Sequence, residues 1–138
     1  MIVLRRTAFI ILIALMFGLT AANAETAFTT EKHTKYTLYV GLNDGNTGIQ
    51  THSTREAKRI MIGISGKYTE GFTIYEADGF WREDNKVFSE HTLVCVFVDA
   101  KPESMKQIMD EAMKALNQRS ILLEVEDVRS TFYSGEEN

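Results

Sequence analysis

Six apolar residues in unbroken succession, Leu93-Val94-Cys95-Val96-Phe97-Val98, constrain this chain more than any other stretch. A β-branched run of that length reads as a strand, and a strand apolar at every position needs cover on both faces. The fold must therefore be a sheet with this segment near its middle. Upstream, Gly71 to Arg82 contains Phe72-Thr73-Ile74-Tyr75-Glu76-Ala77, a second strand, and the polar Glu83-Asp84-Asn85-Lys86 turns it into Val87 to Asp99. That pair is expected to be an antiparallel hairpin. Tyr36-Thr37-Leu38-Tyr39-Val40-Gly41-Leu42 alternates and is rich in strand formers. Ile121-Leu122-Leu123-Glu124-Val125 supplies a fourth strand, which Val128 to Tyr133 either extends after a bulge or follows as a short extra strand.

Two segments change period from two to 3.6. Ser53-Thr54-Arg55-Glu56 has the form of a capping box, after which Ala57, Ile60, Met61, Ile64 and Tyr68 share one helical face. Gly63 and Gly66 weaken that helix and suggest an end near Lys67. Met105, Ile108, Met109, Ala112 and Leu116 repeat the spacing, with Asp99 placed to cap this second helix and Pro102 in its first turn. The order β, α, β, β, α, β is an α+β, ferredoxin-like pattern: a four-stranded antiparallel sheet with two helices on one face. Right-handed crossovers place the first and third strands side by side in its middle. The other face is left without a helix, and Tyr39, Val94 and Val96 are placed to point there. An apolar sheet face of that kind meets a ligand or a partner. A homodimer packing two sheets face to face is the common solution.

Three tempting motifs fail on spacing. Asp44-Gly45-Asn46-Thr47-Gly48 lies in a loop from Asn43 to His52, but an EF-hand needs an oxygen ligand at Gly48 and a glutamate at Arg55. Gly63-Ile64-Ser65-Gly66 lacks the second glycine of a nucleophile elbow, because Lys67 stands there, so Ser65 is read as a surface residue late in its helix. His33, His52 and His91 are scattered and show no metal spacing. Met105, Met109 and Met113 recur every four residues, yet the first two fall on the apolar face and read as core rather than copper ligands.

The N-terminal segment is read separately from the domain. Arg5 and Arg6, the apolar run Ala8 to Leu19, and Ala22-Asn23-Ala24 before Glu25 form the three parts of a signal peptide over 1–24. The run is too short to span a bilayer, which takes about 20 apolar residues. Removing it takes the basic residues from 15 to 13 against 19 acidic ones, a net charge of −6. That balance excludes nucleic acid as a main partner, and no stable membrane insertion is expected after cleavage. The expected location is exported, periplasmic or extracellular. Cys95 is the single cysteine, so no internal disulfide is available, and a thiol inside the apolar run reads as buried and inert. Residues 25–35 are threonine-rich and aperiodic and read as a flexible leader, 36–133 as the ferredoxin-like domain, and 134–138 as an acidic tail.

The chain resembles a family of small exported bacterial proteins classed as domain of unknown function 3574. The resemblance covers Lys35 to Phe132. It rests on Tyr36 to Leu42, Gly71-Phe72-Thr73-Ile74, Ala77-Asp78-Gly79-Phe80-Trp81-Arg82, Glu90, and Gln118-Arg119-Ser120-Ile121-Leu122. Phe80 departs from it, standing where the family pattern has glutamine, as does the threonine- and glycine-rich loop after the first strand. The resemblance implies a ferredoxin-like exported domain and supplies no activity.

Chemically capable side chains are densest in the central hairpin. Tyr39, Tyr75, Asp78, Trp81, Arg82, Glu90 and His91 form the candidate pocket, with Trp81 as a stacking wall, Arg82 as an anion fork and Glu90 or His91 as acid or base. The structural counter-reading pairs Arg82 with Glu90 across the strands and packs Trp81 under the hairpin. Two functions are carried forward: a binding or accessory module for a small ligand or protein partner, and an enzyme of the dimeric α/β-barrel type with its pocket at the hairpin. Catalytic residues, cofactor and ligand stay open at this point. Mass spectrometry of the exported protein is expected to give a chain beginning at Glu25; a product retaining Met1 to Ala24 would overturn the signal reading.

Overall fold

The computed structural model describes residues 28–135. The proposed signal peptide, the first part of the leader and the last three residues of the acidic tail lie outside the described residues. The elements are β1 (Glu31–Gly41), α1 (Thr54–Tyr68), β2 (Thr73–Glu83), β3 (Lys86–Val98), α2 (Pro102–Ala115) and β4 (Leu122–Ser130). The sheet order is β2-β3-β1-β4, every neighbouring pair antiparallel. This is the ferredoxin-like arrangement expected from the element order, with β1 and β3 at the centre.

Strand alternation divides the sheet into two faces. Tyr36, Leu38 and Val40 of β1 and Leu93, Cys95 and Phe97 of β3 are buried in one core with Ala57, Met61 and Ile64 of α1 and Met105, Ile108, Ala112 and Leu116 from α2 and its end. The thiol of Cys95 lies within that core, and burial pushes its pKa up to about 12, which keeps it protonated and unreactive. The N-terminus of α1 is the capping box read from the sequence. Ser53 Oγ accepts from the Glu56 backbone N–H at 3.3 Å while the Ser53 N–H donates to the Glu56 carboxylate at 2.9 Å. Between the helices Lys67 Nζ donates to Glu111 at 2.6 Å, the Tyr68 hydroxyl donates to the same carboxylate, and together they hold it below the usual glutamate range.

Four expectations are corrected. β1 begins at Glu31, not Tyr36, because Glu31 to Lys35 pair with Glu126 to Ser130 of β4; the flexible leader is five residues shorter than its composition suggests. Cross-strand pairing orders a segment that has no apolar alternation of its own. The same register runs unbroken to Tyr39 opposite Leu122, so β4 continues without a bulge. Asp99 does not cap α2: it takes a left-handed φ of 62° and its N–H bonds to Thr34, while Lys101 occupies the cap position without a side-chain bond. Pro102 does open the helix. Ser65 is not on the surface; it is fully buried, and its hydroxyl has no partner among the described residues.

An unsatisfied buried hydroxyl costs more than a methyl group in the same place. Ser65→Ala is therefore expected to stabilise the domain by about 1 kcal/mol in urea unfolding. A destabilisation would mean that the hydroxyl is bonded.

Candidate functional site

The helix-free face is ordered in rows across the strands. Tyr39 of β1 and Tyr75 of β2 both stand opposite Val94 of β3, and Leu122 stands opposite Tyr39 on the far side. Flanked by two phenol rings, Val94 is buried although no helix covers it. The next row is small: Gly41, Thr92 and Ala77. Beyond it Gly79 faces Glu90, and then Trp81 faces Phe88 with the rings stacked, centroids 5.5 Å apart. A floor of small residues thus lies between a tyrosine row and an indole–phenyl row.

The two glycines create the depth. A Cβ on Gly41 would lie 2.4 Å from the Glu90 carboxylate oxygens, and one on Gly79 would lie 2.7 Å from Thr92 Oγ1. Glu90 leans over Gly41 on one side of β3, and Thr92 leans over Gly79 on the other. Among the described residues, the half-buried Glu90 carboxylate accepts one hydrogen bond, from the Asn43 N–H at 3.2 Å. The resulting open trough has a volume of about 930 Å³. Its far rim is formed by the loop after β1 and by Gln118 to Ser120.

That rim is tied together. Asp44 Oδ1 accepts from the N–H groups of Asn46 and Thr47, both at 2.9 Å, and its Oδ2 accepts from Asn117 Nδ2 at 2.7 Å. The Asn117 side chain, followed by the Thr47 and Asn46 amides, lowers the Asp44 pKa from 3.8 to about 2. Gly45 N–H donates to the Asn117 carbonyl at 2.7 Å, and Gln118 Nε2 donates to the Asn43 carbonyl at 2.8 Å. Asp44 is thus a loop-organising residue, with both carboxylate oxygens bonded to groups of the rim.

Strand parity separates the seven expected site residues. Tyr39, Tyr75, Trp81 and Glu90 belong to the helix-free face, and Tyr39, Trp81 and Glu90 line the trough. The Tyr39 hydroxyl donates to Glu124 at 2.9 Å, and that bond raises its pKa. Asp78, Arg82 and His91 alternate onto the opposite face. There His91 Nδ1 lies 3.0 Å from Asp78 Oδ1, and Asp78, His91 and Glu90 border a separate pocket of about 210 Å³. Arg82 stands opposite Val87, three residues from Glu90, so the Arg82–Glu90 pair does not form. Trp81 stacks on Phe88 instead of packing beneath the hairpin. Gly41, Gly79, Thr92 and Phe88 were absent from the expected set; a glycine inside a strand signals close approach by another group, and two were available to read.

A family model matches residues 34–132, and its description is protein of unknown function, DUF3574. The chain belongs to this family. No curated protein sequence matches it. Among solved structures, the DUF3574 domain is similar to a phage SAM lyase in complex with S-methyl-5'-thioadenosine. That match has 14% identity and a TM-score of 0.53, covering 75% of this chain and 93% of the lyase. It is also similar to the periplasmic divalent cation tolerance protein CutA from Archaeoglobus fulgidus, with 16% identity and a TM-score of 0.42 over 76% of this chain and 88% of that one. A third likeness is to CPII, a nitrogen regulatory PII-like protein from Thiomonas intermedia K12, at 10% identity and a TM-score of 0.42 over 76% and 99%. At these identities the likeness is one of fold. Among the described residues of the DUF3574 domain, no group of three or more His, Cys, Asp or Glu side chains is arranged to hold a metal ion, and no helix is long and apolar enough to cross a membrane.

The lowered Asp44 pKa fixes a pH window for the rim. Because the folded value lies below the unfolded one, the contribution is present in full above about pH 4 and is lost as pH falls through about 2. Amide spectra are expected to keep Asn46 and Thr47 in place down to pH 3 or so and to lose them with a midpoint near 2. A midpoint near 4 would show that Asp44 is not bonded as described.

Proposed function

We propose that this DUF3574 domain is an exported binding module that holds a small ligand in the trough on its helix-free sheet face and pairs with a second copy across the rest of that face. The observation that carries the reading is the floor: Gly41 and Gly79 leave room where any other residue would displace Glu90 or Thr92. Packing of the sheet gives no reason for that room, since the atoms that a Gly41 side chain would meet belong to a flexible carboxylate and not to backbone. The tied loops keep the rim in one shape before binding, which lowers the ordering cost of association. Tyr75 and Val98, 49% and 43% exposed on the same face, are the apolar surface that a second sheet would cover. Export rests on the three-part segment of residues 1–24.

An open trough supports binding over turnover. Tyr75 does not line it, and the His91–Asp78 pair, which borders the smaller pocket with Glu90, stands on the opposite face and outside the trough. Native mass spectrometry of the protein purified from its own host tests the reading. The expected species is a two-copy mass carrying a small molecule, and Trp81→Ala is expected to lose the molecule while keeping the two-copy mass. A bare monomer would count against both parts of the proposal.

A further inference from the structure

We propose that the trough selects a small planar organic cation, its positive charge against the Glu90 carboxylate and its ring against the Trp81–Phe88 stack. This rests on the binding reading above and names the chemistry of the ligand.

Glu90 supplies the charge term. Two carboxylate oxygens can accept about four hydrogen bonds. The described residues give Glu90 one, the 3.2 Å contact from the Asn43 amide. The carboxylate is held over Gly41 at the floor, half-buried, where a ligand donor reaches it with less competition from water than at an open surface. The other two acidic residues at the trough, Asp44 and Glu83, leave the local balance negative against one basic lining residue, Arg119. Asp44 is bonded within the rim and Glu83 stands beside the hairpin turn, so Glu90 is the carboxylate that the floor presents to a charged donor.

The hairpin supplies the ring term. Trp81 and Phe88 are stacked at 5.5 Å and remain 40% and 39% exposed, so a flat face is on offer beside the carboxylate. A delocalised cation is attracted both to the carboxylate and to the negative face of indole, and a neutral ring gains only the second contact. The two groups lie on β3 and its β2 partner, two residues apart on one face, about 7 Å along the strand. One fused ring system spans that distance.

Trp81 is the only tryptophan in the chain, so its indole N–H gives one resonance that reports on the site. The full chain is titrated with 1-methylquinolinium, with quinoline at mildly alkaline pH where it is uncharged, and with naphthalene-1-sulfonate. The cation is expected to shift the Trp81 signal saturably and to bind about tenfold tighter than quinoline. Glu90→Gln is expected to remove that margin while leaving quinoline unchanged. Gly41→Ala, which displaces the carboxylate without altering charge, is expected to lose the same margin, whatever it does to quinoline, and carries the test should Glu90→Gln fail to fold. Equal affinity for all three probes, or tightest binding of the sulfonate, would overturn the cation inference and leave trough binding standing. Silence of Trp81 toward every probe would overturn both.

Discussion

Everything distinctive about this domain depends on the register between β1 and β3. Tyr36 opposite Phe97, Leu38 opposite Cys95 and Val40 opposite Leu93 place the buried apolar residues of both central strands under the helices. Since side chains alternate with period two, a slip of one residue would turn that set out to the helix-free face. The same register puts Gly41 beside Thr92 and, through the β2–β3 pairing, Gly79 beside Glu90. Core and trough are thus two faces of one alignment. The helices hold the alignment by burying one face, and the other face receives its geometry without contributing an equal share of the packing.

The hairpin carries the site beyond the helices. β1 ends at Gly41, which pairs with Thr92, whereas β2 and β3 continue pairing to Glu83 and Lys86. The extension closes on Asp84 and Asn85, both with positive φ, 45° and 60°, the backbone of a two-residue primed turn whose twist matches the strands. Past Gly41 the third wall cannot come from β1. It comes from the loop that follows, anchored through Asp44 to Asn117 and through Gly45 to the same residue's carbonyl. Polar loop bonds therefore do at this end of the sheet what strand pairing does elsewhere.

How much of this was legible in the sequence can be argued residue by residue. The helices were, because apolar spacing and the Ser53–Glu56 box are local signals that packing then reinforces. The order of strands was, because few topologies accommodate βαββαβ. The start of β1 was not, since Glu31 to Lys35 owe their order to β4, 91 to 99 residues away, and carry no alternation. Ser65 was misplaced because a serine between glycines late in a helix looks solvated, and only tertiary packing buries it. The site was read in part: density of capable side chains along a hairpin cannot separate its two faces, whereas alternation sends Tyr39, Trp81 and Glu90 one way and Asp78, Arg82 and His91 the other.

What the side-chain inventory missed was space. Glycine inside a strand costs about 0.5–1 kcal/mol relative to alanine, through the entropy of the unfolded chain and the loss of packing. Two such positions on the strands that flank β3, each beneath a polar side chain of β3, weaken the sheet at the place where no helix compensates. Neither Gly41 nor Gly79 has a positive φ, so the backbone does not require them. At Gly41 the obstacle to a side chain is a carboxylate that could swing away, and at Gly79 it is a hydroxyl. The fold would survive both groups moving. The trough would not, because Glu90 would leave its floor and Thr92 its wall, and the stability given up at these two positions has its physical return only in the shape that they leave open.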